Sequence, residues 1–211
     1  NAIPVFQLAD KLKGFLDYKA MLKAHFINVR EGVNPNIFNF LVKDILSESQ
    51  IPNPAGGAGT VDLLATYQRI SDDIINNAVT SVKHKNALLE LAAFNLSLKT
   101  LLRDVFGLTN KYFHDYFKDP KISVDLNVSD IELIESKGKK RLKEEILFKI
   151  SYAGTELPLY HAFLNEARLS ALAISIFFAS IKVYPLAAVD LRVIYLDDVF
   201  IGLDNSNRIP L

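Results

Sequence analysis

Two adjacent carboxylates, Asp197 and Asp198, follow a short apolar run near the end of the 211-residue chain. The run, residues 193–196, consists of β-branched, aromatic and aliphatic side chains, which is typical of a strand that is buried on both faces. Carboxylates beside such a strand are costly to bury unless they meet a cation, hydrogen-bond donors or a proton. Because ligands bind at strand ends in open α/β sheets, the pattern predicts a hydrated Mg²⁺ ion that faces a nucleotide phosphate. The alternative is a strand that simply ends in a turn.

Upstream of these acids, a polar pair precedes a segment that is apolar on nearly every side as far as Ile181. Asn165 is a favourable N-cap residue, and Glu166 would lie in the first turn, where the helix dipole stabilises a negative charge. The free N–H groups at the start of such a helix are suited to hold a phosphate. Plain capping explains the same two residues, so the sequence leaves both interpretations open.

Three segments resemble motifs of the ABC-type ATPases of the SMC, RecF and RecN kind. Leu164-Asn-Glu-Ala-Arg-Leu-Ser-Ala-Leu-Ala173 is similar to their signature motif, and Val193-Ile-Tyr-Leu-Asp-Asp198 is similar to their Walker B strand. Gly202-Leu-Asp204 is similar to their D-loop. The order and spacing of the three segments match the family as well. The resemblance covers residues 120–208 with specific motifs and residues 3–118 by helical character alone.

The resemblance implies a role for each matched residue. Asp197 would hold Mg²⁺ through its water shell, and Asp198, in place of the family's Glu, would orient the attacking water. Asn165 replaces the family's Ser, and its amide can also donate a hydrogen bond. Ala167 replaces the family's Gly and limits how closely the backbone approaches phosphate. The residues implied to contact ATP on the opposite head are Asn165, Glu166, Ala167 and Arg168, and those implied to form the D-loop, which touches the partner head, are Gly202, Leu203 and Asp204.

The fold class that the resemblance implies is α+β or α/β. Residues 3–118 would form a helical arm, a long antiparallel and coiled-coil-like hairpin with a Gly/Pro-rich loop at 51–60, and residues 119–211 would form the C-terminal lobe of the ATPase head. The implied cofactors are ATP and Mg²⁺. The implied partners are a second head in a homodimer, the N-terminal half of the same ATPase, and DNA. The family's phosphate loop, Gln switch and later His do not occur in the sequence, so we expect a piece of a larger ATPase that is inactive alone.

Helical periodicity predicts most of the first half of the chain. One helix is expected over 4–28 and a second from Asn34 or Asn36 to Leu46, before the loop at 51–60. The longest periodic segment, 60–106, would be a helix roughly 70 Å long that Gly107 interrupts. An ordinary helical bundle is the alternative to an arm, since periodicity does not distinguish the two.

Alternating side chains predict strands in the second half, at 122–128, 131–134 and 145–152. The basic turn at 137–141 fits a solvated loop or a nucleic-acid contact. The apolar stretch 169–189 has roughly the length of a membrane span, but its charge, proline and serines favour a buried helix, so no membrane partner is expected.

Composition limits the remaining functions. Half of the residues are hydrophobic and the formal net charge is zero, so the chain is globular and has no overall attraction to DNA or to anionic membranes. It contains no cysteine, which excludes disulfides and thiolate metal sites and agrees with a cytoplasmic location. The four histidines lack the spacing of a metal site and are His25, His84, His114 and His161.

Overall fold

The structure is mixed α+β, as the sequence predicts at that level. It is a computed structural model that describes residues 14–17, 19, 34–118, 120–183, 194–199 and 203. Its helices are a π-helix (Asn39–Ile45), α1 (Leu63–Asn76), α2 (Val82–Phe117), α3 (Tyr160–Phe163) and α4 (Glu166–Val183). Its strands are β1 (Gly14–Asp17), β2 (Gln50–Pro52), β3 (Thr60–Asp62), β4 (Ile122–Val128), β5 (Glu132–Ser136), β6 (Lys139–Lys143), β7 (Ile146–Tyr152), β8 (Thr155–Glu156) and β9 (Ile194–Asp197).

The 36-residue helix α2 is central to the packing of the helices, because α1, α4 and β4 all pack against it. It begins after Ser81, whose side-chain oxygen accepts a hydrogen bond from the His84 N–H at 3.1 Å. The predicted interruption at Gly107 is wrong, since the helix continues through that residue to Phe117. It ends where Lys118 adopts a left-handed conformation with φ of 52°.

The prediction of one helix over 60–106 is also wrong, because the chain turns back at 77–81. Tyr67 of α1 packs against Phe94 of α2 with ring centroids 5.8 Å apart, and Arg69 pairs with Glu90. Polar side chains stabilise the break, since the Asn77 amide donates to the Asp73 carbonyl at 2.9 Å. Turning back lets the apolar stripes of α1 and α2 cover each other, which a straight helix would not allow.

The helix predicted over 4–28 is wrong at Gly14–Asp17, where the chain forms β1. Pairing with β9 overrides a local pattern that also suits a helix. Residue 19 is helical, and the rest of that prediction lies outside the described residues. The second predicted helix is present as the π-helix, in which the Leu46 N–H donates to the Leu41 carbonyl at 2.8 Å. The long antiparallel hairpin that would join these helices to α2 is not confirmed.

The predicted strands at 122–128 and 145–152 are confirmed as β4 and β7, which pair antiparallel from Ile122 opposite Tyr152 to Val128 opposite Ile146. The strand predicted at 131–134 is present as β5, at Glu132–Ser136. The interpretation of 137–141 as a turn is wrong beyond Gly138, because the chain continues as β6 and pairs with β5. Both Lys137 and Gly138 have positive φ, which gives a tight hairpin turn.

The loop at 51–60 is closed by a small hairpin, since β2 and β3 pair with Ile51 opposite Val61. Buried side chains on both sides of residue 118 belong to one hydrophobic cluster, which includes Leu98 of α2, Val124 of β4 and Ile174 of α4. The division at 118/119 into an arm and a head stays a prediction. None of the helices in the described ranges has the length and apolarity that crossing a membrane requires.

Candidate functional site

The first half of the predicted site lies at the start of α4. The Asn165 side-chain oxygen accepts a hydrogen bond from the Arg168 N–H at 3.0 Å, so the predicted N-cap is confirmed. Glu166 lies in the first turn and is exposed, as is Asn165. Ala167 and Arg168 are half-buried. The segment is therefore an accessible helix start of the kind that favours an anion, with its polar groups at the surface.

A buried support lies directly before this helix start. Tyr160 of α3 is fully buried and meets Phe148 of β7 edge to face, with ring centroids 5.5 Å apart. Burial raises the pKa of the Tyr160 hydroxyl well above its ordinary value. Leu164, also buried, donates its N–H to the Tyr160 carbonyl at 2.7 Å. Packing in the core thus holds the residues that lead into α4, in addition to the exposed cap.

Three buried polar atoms within the described ranges lack a hydrogen-bond partner, and two of them are close in sequence to Asn165. They are Asn34 Oδ1, His161 Nδ1 and Ser170 Oγ. The amide nitrogen of Asn34 donates to the Pro158 carbonyl at 2.8 Å, so Asn34 also borders the segment that leads into α4. Buried polar atoms normally have partners, and these three exceptions lie in or beside the segment that leads into α4 and its first turns.

The second half of the predicted site is β9, which is a strand as the sequence predicts and pairs parallel with β1. In this register Leu16 lies opposite Leu196, and Asp17 lies opposite Asp197. Leu16 is fully buried, and Leu196 is half-buried. Parallel strands end at the same edge of a sheet, so the carboxyl ends of both strands coincide, each with an aspartate at its last position.

The expectation that this strand is buried on both faces is wrong. Ile194 is 42% exposed, and both Asp197 and Asp198 are exposed. Among the described residues β9 pairs with β1 alone, so no second neighbouring strand covers its other edge. The cost of burying charge therefore does not explain the two acids. Asp198 has a left-handed backbone with φ of 55°, which turns the chain sharply at the strand end, and the following Val199 is fully buried.

The structure describes only one of the three residues that are predicted to form the D-loop. Leu203 is buried, whereas Gly202 and Asp204 lie outside the described residues. In the part of the chain that the structure describes, no group of three His, Cys, Asp or Glu side chains lies close enough to hold a metal ion directly. Magnesium usually retains several waters and needs only one or two carboxylates, so Asp197 remains the candidate that the resemblance implies.

Two asparagines of α2 form structural contacts that sequence reasoning missed. The Asn110 amide donates to the Val124 carbonyl at 2.7 Å and accepts from the Val124 N–H at 2.8 Å, so it pairs with the edge of β4 as a strand would. Asn95 pairs in the same way with Ile131, at 3.1 and 3.0 Å. The available signal is a polar residue within the apolar stripe of a helix, because such a residue needs a buried partner.

A groove of about 580 Å³ lies between α2 and β4. Two of the cations that line it, Lys99 and Lys149, are paired with Asp130 at 2.9 Å and Glu156 at 3.4 Å. The groove also contains the Asp125 carboxylate. Its charges are thus largely compensated within the chain, and it indicates no particular ligand.

The chain matches none of the protein-family models with which it was compared, and no curated protein is significantly similar to it. The resemblance to ABC-type ATPases therefore depends on the three quoted segments and their order along the chain. Of these segments, the signature-like one begins a buried helix and the Walker-B-like one ends a strand.

Proposed function

We propose that this chain provides the C-terminal part of the nucleotide-binding head of an SMC/RecF-like ATPase. The observation that supports this most is the position of Asp197 and Asp198 at the carboxyl end of a strand that pairs parallel with β1. Ligands of α/β proteins bind at this edge of a parallel sheet. In the complete protein, ATP and Mg²⁺ would bind between two heads.

Asp197 would act on the nucleotide bound to its own head, by holding the hydrated Mg²⁺ that neutralises the phosphates. Asp198 would orient the attacking water. The exposure of both carboxylates leaves them accessible to such a ligand. Because an aspartate is one methylene shorter than the family's glutamate, we expect slow hydrolysis.

Asn165 would act on the nucleotide of the opposite head, together with Glu166, Ala167 and Arg168. The cap uses only the Asn165 amide oxygen, and no described residue accepts from its amide nitrogen, which can therefore donate to a phosphate. The backbone N–H groups and the dipole of α4 would add to the attraction. Gly202, Leu203 and Asp204 would contact the opposite head.

The experiment that tests this proposal begins with the complete reading frame, which is expected to encode Gly-x-x-x-x-Gly-Lys-Ser/Thr upstream. We expect the encoded protein to dimerise only with ATP and Mg²⁺, as measured by light scattering. Asp197→Asn and Asn165→Ala should each abolish this dimerisation. Asp72→Asn, which changes an exposed aspartate of α1, is the matched control. Dimerisation that ignores ATP, or ATP hydrolysis by the 211-residue chain that Asp198→Asn removes, would contradict the proposal.

The proposed helical arm is supported by an exposed apolar stripe on α2. Val82, Leu89 and Leu96 are 73%, 74% and 70% exposed and recur every seven residues. Residues seven apart occupy the same position of successive heptads, as one of the two apolar positions of a coiled-coil seam does. We therefore expect a partner helix along this part of α2.

The same stripe favours the second candidate, a helical module that binds a protein without nucleotide chemistry. Replacing Leu89 and Leu96 by Lys should then abolish association with a partner, while ATP has no effect on it. In the ATPase, association of the heads responds to ATP. Because the natural sequence has no cysteine, a single cysteine at position 96 allows either association to be followed by crosslinking or spin labelling.

A further inference from the structure

A row of cations lies on the outer face of the β5–β6 hairpin. Lys139, Arg141 and Lys143 are alternate residues of β6, and all three are exposed. Lys137, in the turn before β6, is exposed as well. We call these four residues the basic ribbon. Side chains of alternate residues point to the same face of a strand, so three of the cations share one face at a spacing of about 7 Å.

The inner side of the hairpin fixes which residues point outward. Leu142 is buried, and it lies opposite Leu133 on β5. The Lys140 ammonium donates to the Ile74 carbonyl at 3.2 Å and to the Asn77 carbonyl, at the end of α1. It thereby satisfies carbonyl groups that have no partner within the helix. A shift of β6 by one residue would expose Leu142 and remove Lys140 from α1, so the outward orientation of the basic ribbon is determined.

The base of the hairpin is attached to α2. The two hydrogen bonds between Asn95 and Ile131 hold the residue directly before β5. Lys99 forms an ion pair with Asp130 at 2.9 Å, next to the same point. These contacts join the hairpin to the helical core at one end, while its turn at Lys137 and Gly138 is exposed. The cations are therefore presented on a pair of strands that is held both at its base and, through Lys140, near its turn.

Little negative charge accompanies the basic ribbon. The outward residues of β5 opposite Lys139, Arg141 and Lys143 are Ser136, Ile134 and Glu132. Glu132 is the one carboxylate on this face of the two strands, and none of the four cations forms an ion pair within the described ranges. Because the formal net charge of the whole chain is zero, this local excess is not a consequence of a basic composition.

We propose that the basic ribbon binds the phosphate backbone of double-stranded DNA. A two-stranded antiparallel ribbon is narrow enough to enter the major groove, and regularly spaced lysine and arginine side chains match a regularly charged polymer. Contacts to phosphate carry no sequence information, so binding through these cations is expected to be independent of sequence. DNA is also a partner that the resemblance implies, but this interaction requires neither ATP nor the acids of β9, so its test is independent of the test of the ATPase proposal.

The test measures fluorescence anisotropy of a labelled 25-base-pair DNA with the 211-residue chain, without nucleotide, between 50 and 200 mM salt. The variant Lys139→Gln, Arg141→Gln, Lys143→Gln should bind more weakly, and the slope of log K against log salt should fall by up to about 2.7 if each cation neutralises one phosphate. Circular dichroism and thermal unfolding establish that the variant is folded. DNA of unrelated sequence should bind equally well.

The control variant removes the same charge from exposed lysines elsewhere, Lys43→Gln, Lys111→Gln and Lys182→Gln, and should retain the natural slope. Three results would overturn the proposal. These are the absence of salt-dependent binding by the natural chain, equal slopes for the ribbon and control variants, and tighter binding of a poly-glutamate peptide than of DNA. The last result would assign the ribbon to an acidic protein instead.

Discussion

The two longest helices, α2 and α4, differ in how much of their surface the chain covers. Every residue of α4 from 169 to 177 is buried, although its first and last turns carry charges. In α2 one face is buried and the opposite face is open, as Leu98 with 2% exposure and Leu96 with 70% exposure demonstrate. The contacts of α4 are thus completed within the chain, whereas those of α2 are not.

This difference shows what an apolar sequence alone leaves undecided. The segment of α4 has the apolarity of a core helix or a membrane span, and packing against α2 gives it a core position. The stripe on α2 suits either a core or a helical partner, and the structure leaves it at the surface. Exposed apolar stripes of this kind are typical of interaction surfaces.

The largest expected effect tests the two faces of α2 directly. Leu98→Ala should lower the free energy of unfolding by about 2–5 kcal/mol, because it removes buried side-chain volume. Leu96→Ala, the same chemical change two residues away, should alter it by less than about 0.5 kcal/mol. Urea denaturation of both variants at micromolar concentration provides the comparison.

A similar loss for both variants would mean that the outer face is covered in solution. Repeating the Leu96→Ala measurement over a hundredfold range of protein concentration then identifies the cover. A loss that disappears on dilution indicates association of two chains, since the stability of a dimer depends on concentration. A loss that persists indicates a contact within the chain and removes the distinction between α2 and α4.

The second prediction concerns alkaline pH and the inner face of α2, where Tyr67 packs against Phe94. Burial, the hydrogen bond to Glu144 and the charge of that carboxylate raise the pKa of Tyr67 well above its ordinary value. The folded state therefore keeps this proton above pH 10, where the unfolded state loses it. Stability should fall with rising pH, by about 1.4 kcal/mol per pH unit for each such tyrosine.

Tyr67→Phe should make the free energy of unfolding fall less steeply with pH, by about 1.4 kcal/mol per pH unit, which is the contribution of one proton. Urea denaturation from pH 8 to pH 11 measures this slope. Tyr116→Phe, at a position that is 43% exposed on α2, is the matched control. Equal slopes for Tyr67→Phe and the natural chain would show that Tyr67 is accessible to solvent. In that case the inner face of α2 would be less closed than the structure indicates.

The elements that the sequence predicts well are those whose pattern has one physical solution. The alternation from Ile122 to Val128 fits only a half-buried strand, and β4 follows it. The apolar segment after Asn165 fits a buried helix with a polar cap, and both the helix and its cap are present. In these places local preference and tertiary packing agree.

Elements that depend on a distant partner are not predictable in this way. Phe15 and Leu16 suit a helix as well as a strand, and pairing with β9 decides the outcome. The lysine-rich sequence of β6 suggests a solvated loop. In the structure it is a strand, because Leu142 is buried and Lys140 binds carbonyl groups of α1, which gives the strand an inner face. Likewise, the exposure of Asp197 depends on which strands neighbour β9, and the sequence of β9 does not specify them.

A smaller effect is expected at the start of α4. Asn165→Ala removes the cap on the Arg168 N–H and should cost about 0.5–2 kcal/mol of stability, whereas Asn165→Asp should retain it. Thermal unfolding of the three proteins measures the difference. A neutral Asn165→Ala would show that packing of α4 fixes this helix start without its cap.

The smallest effect is expected on the open side of α2, at Gly107. A Cβ atom at this position meets no other atom within 4 Å, and the residue lies inside a helix. Gly107→Ala should therefore stabilise the chain by about 0.5–1 kcal/mol, because alanine loses less backbone entropy on folding. Denaturation in urea is again the measurement.

Gly138→Ala is the matched control, since Gly138 also has open space around it but has φ of +73°. The same substitution should destabilise the protein there, because alanine is strained in that conformation. If Gly107→Ala is destabilising as well, open space around the Cβ position is not sufficient to make the substitution stabilising. A further contact must then cover the exposed side of α2 at this position. The uncovered face of α2 would then need a partner in the second half of the helix as well as between Val82 and Leu96, whereas the contacts of α4 are completed within the chain.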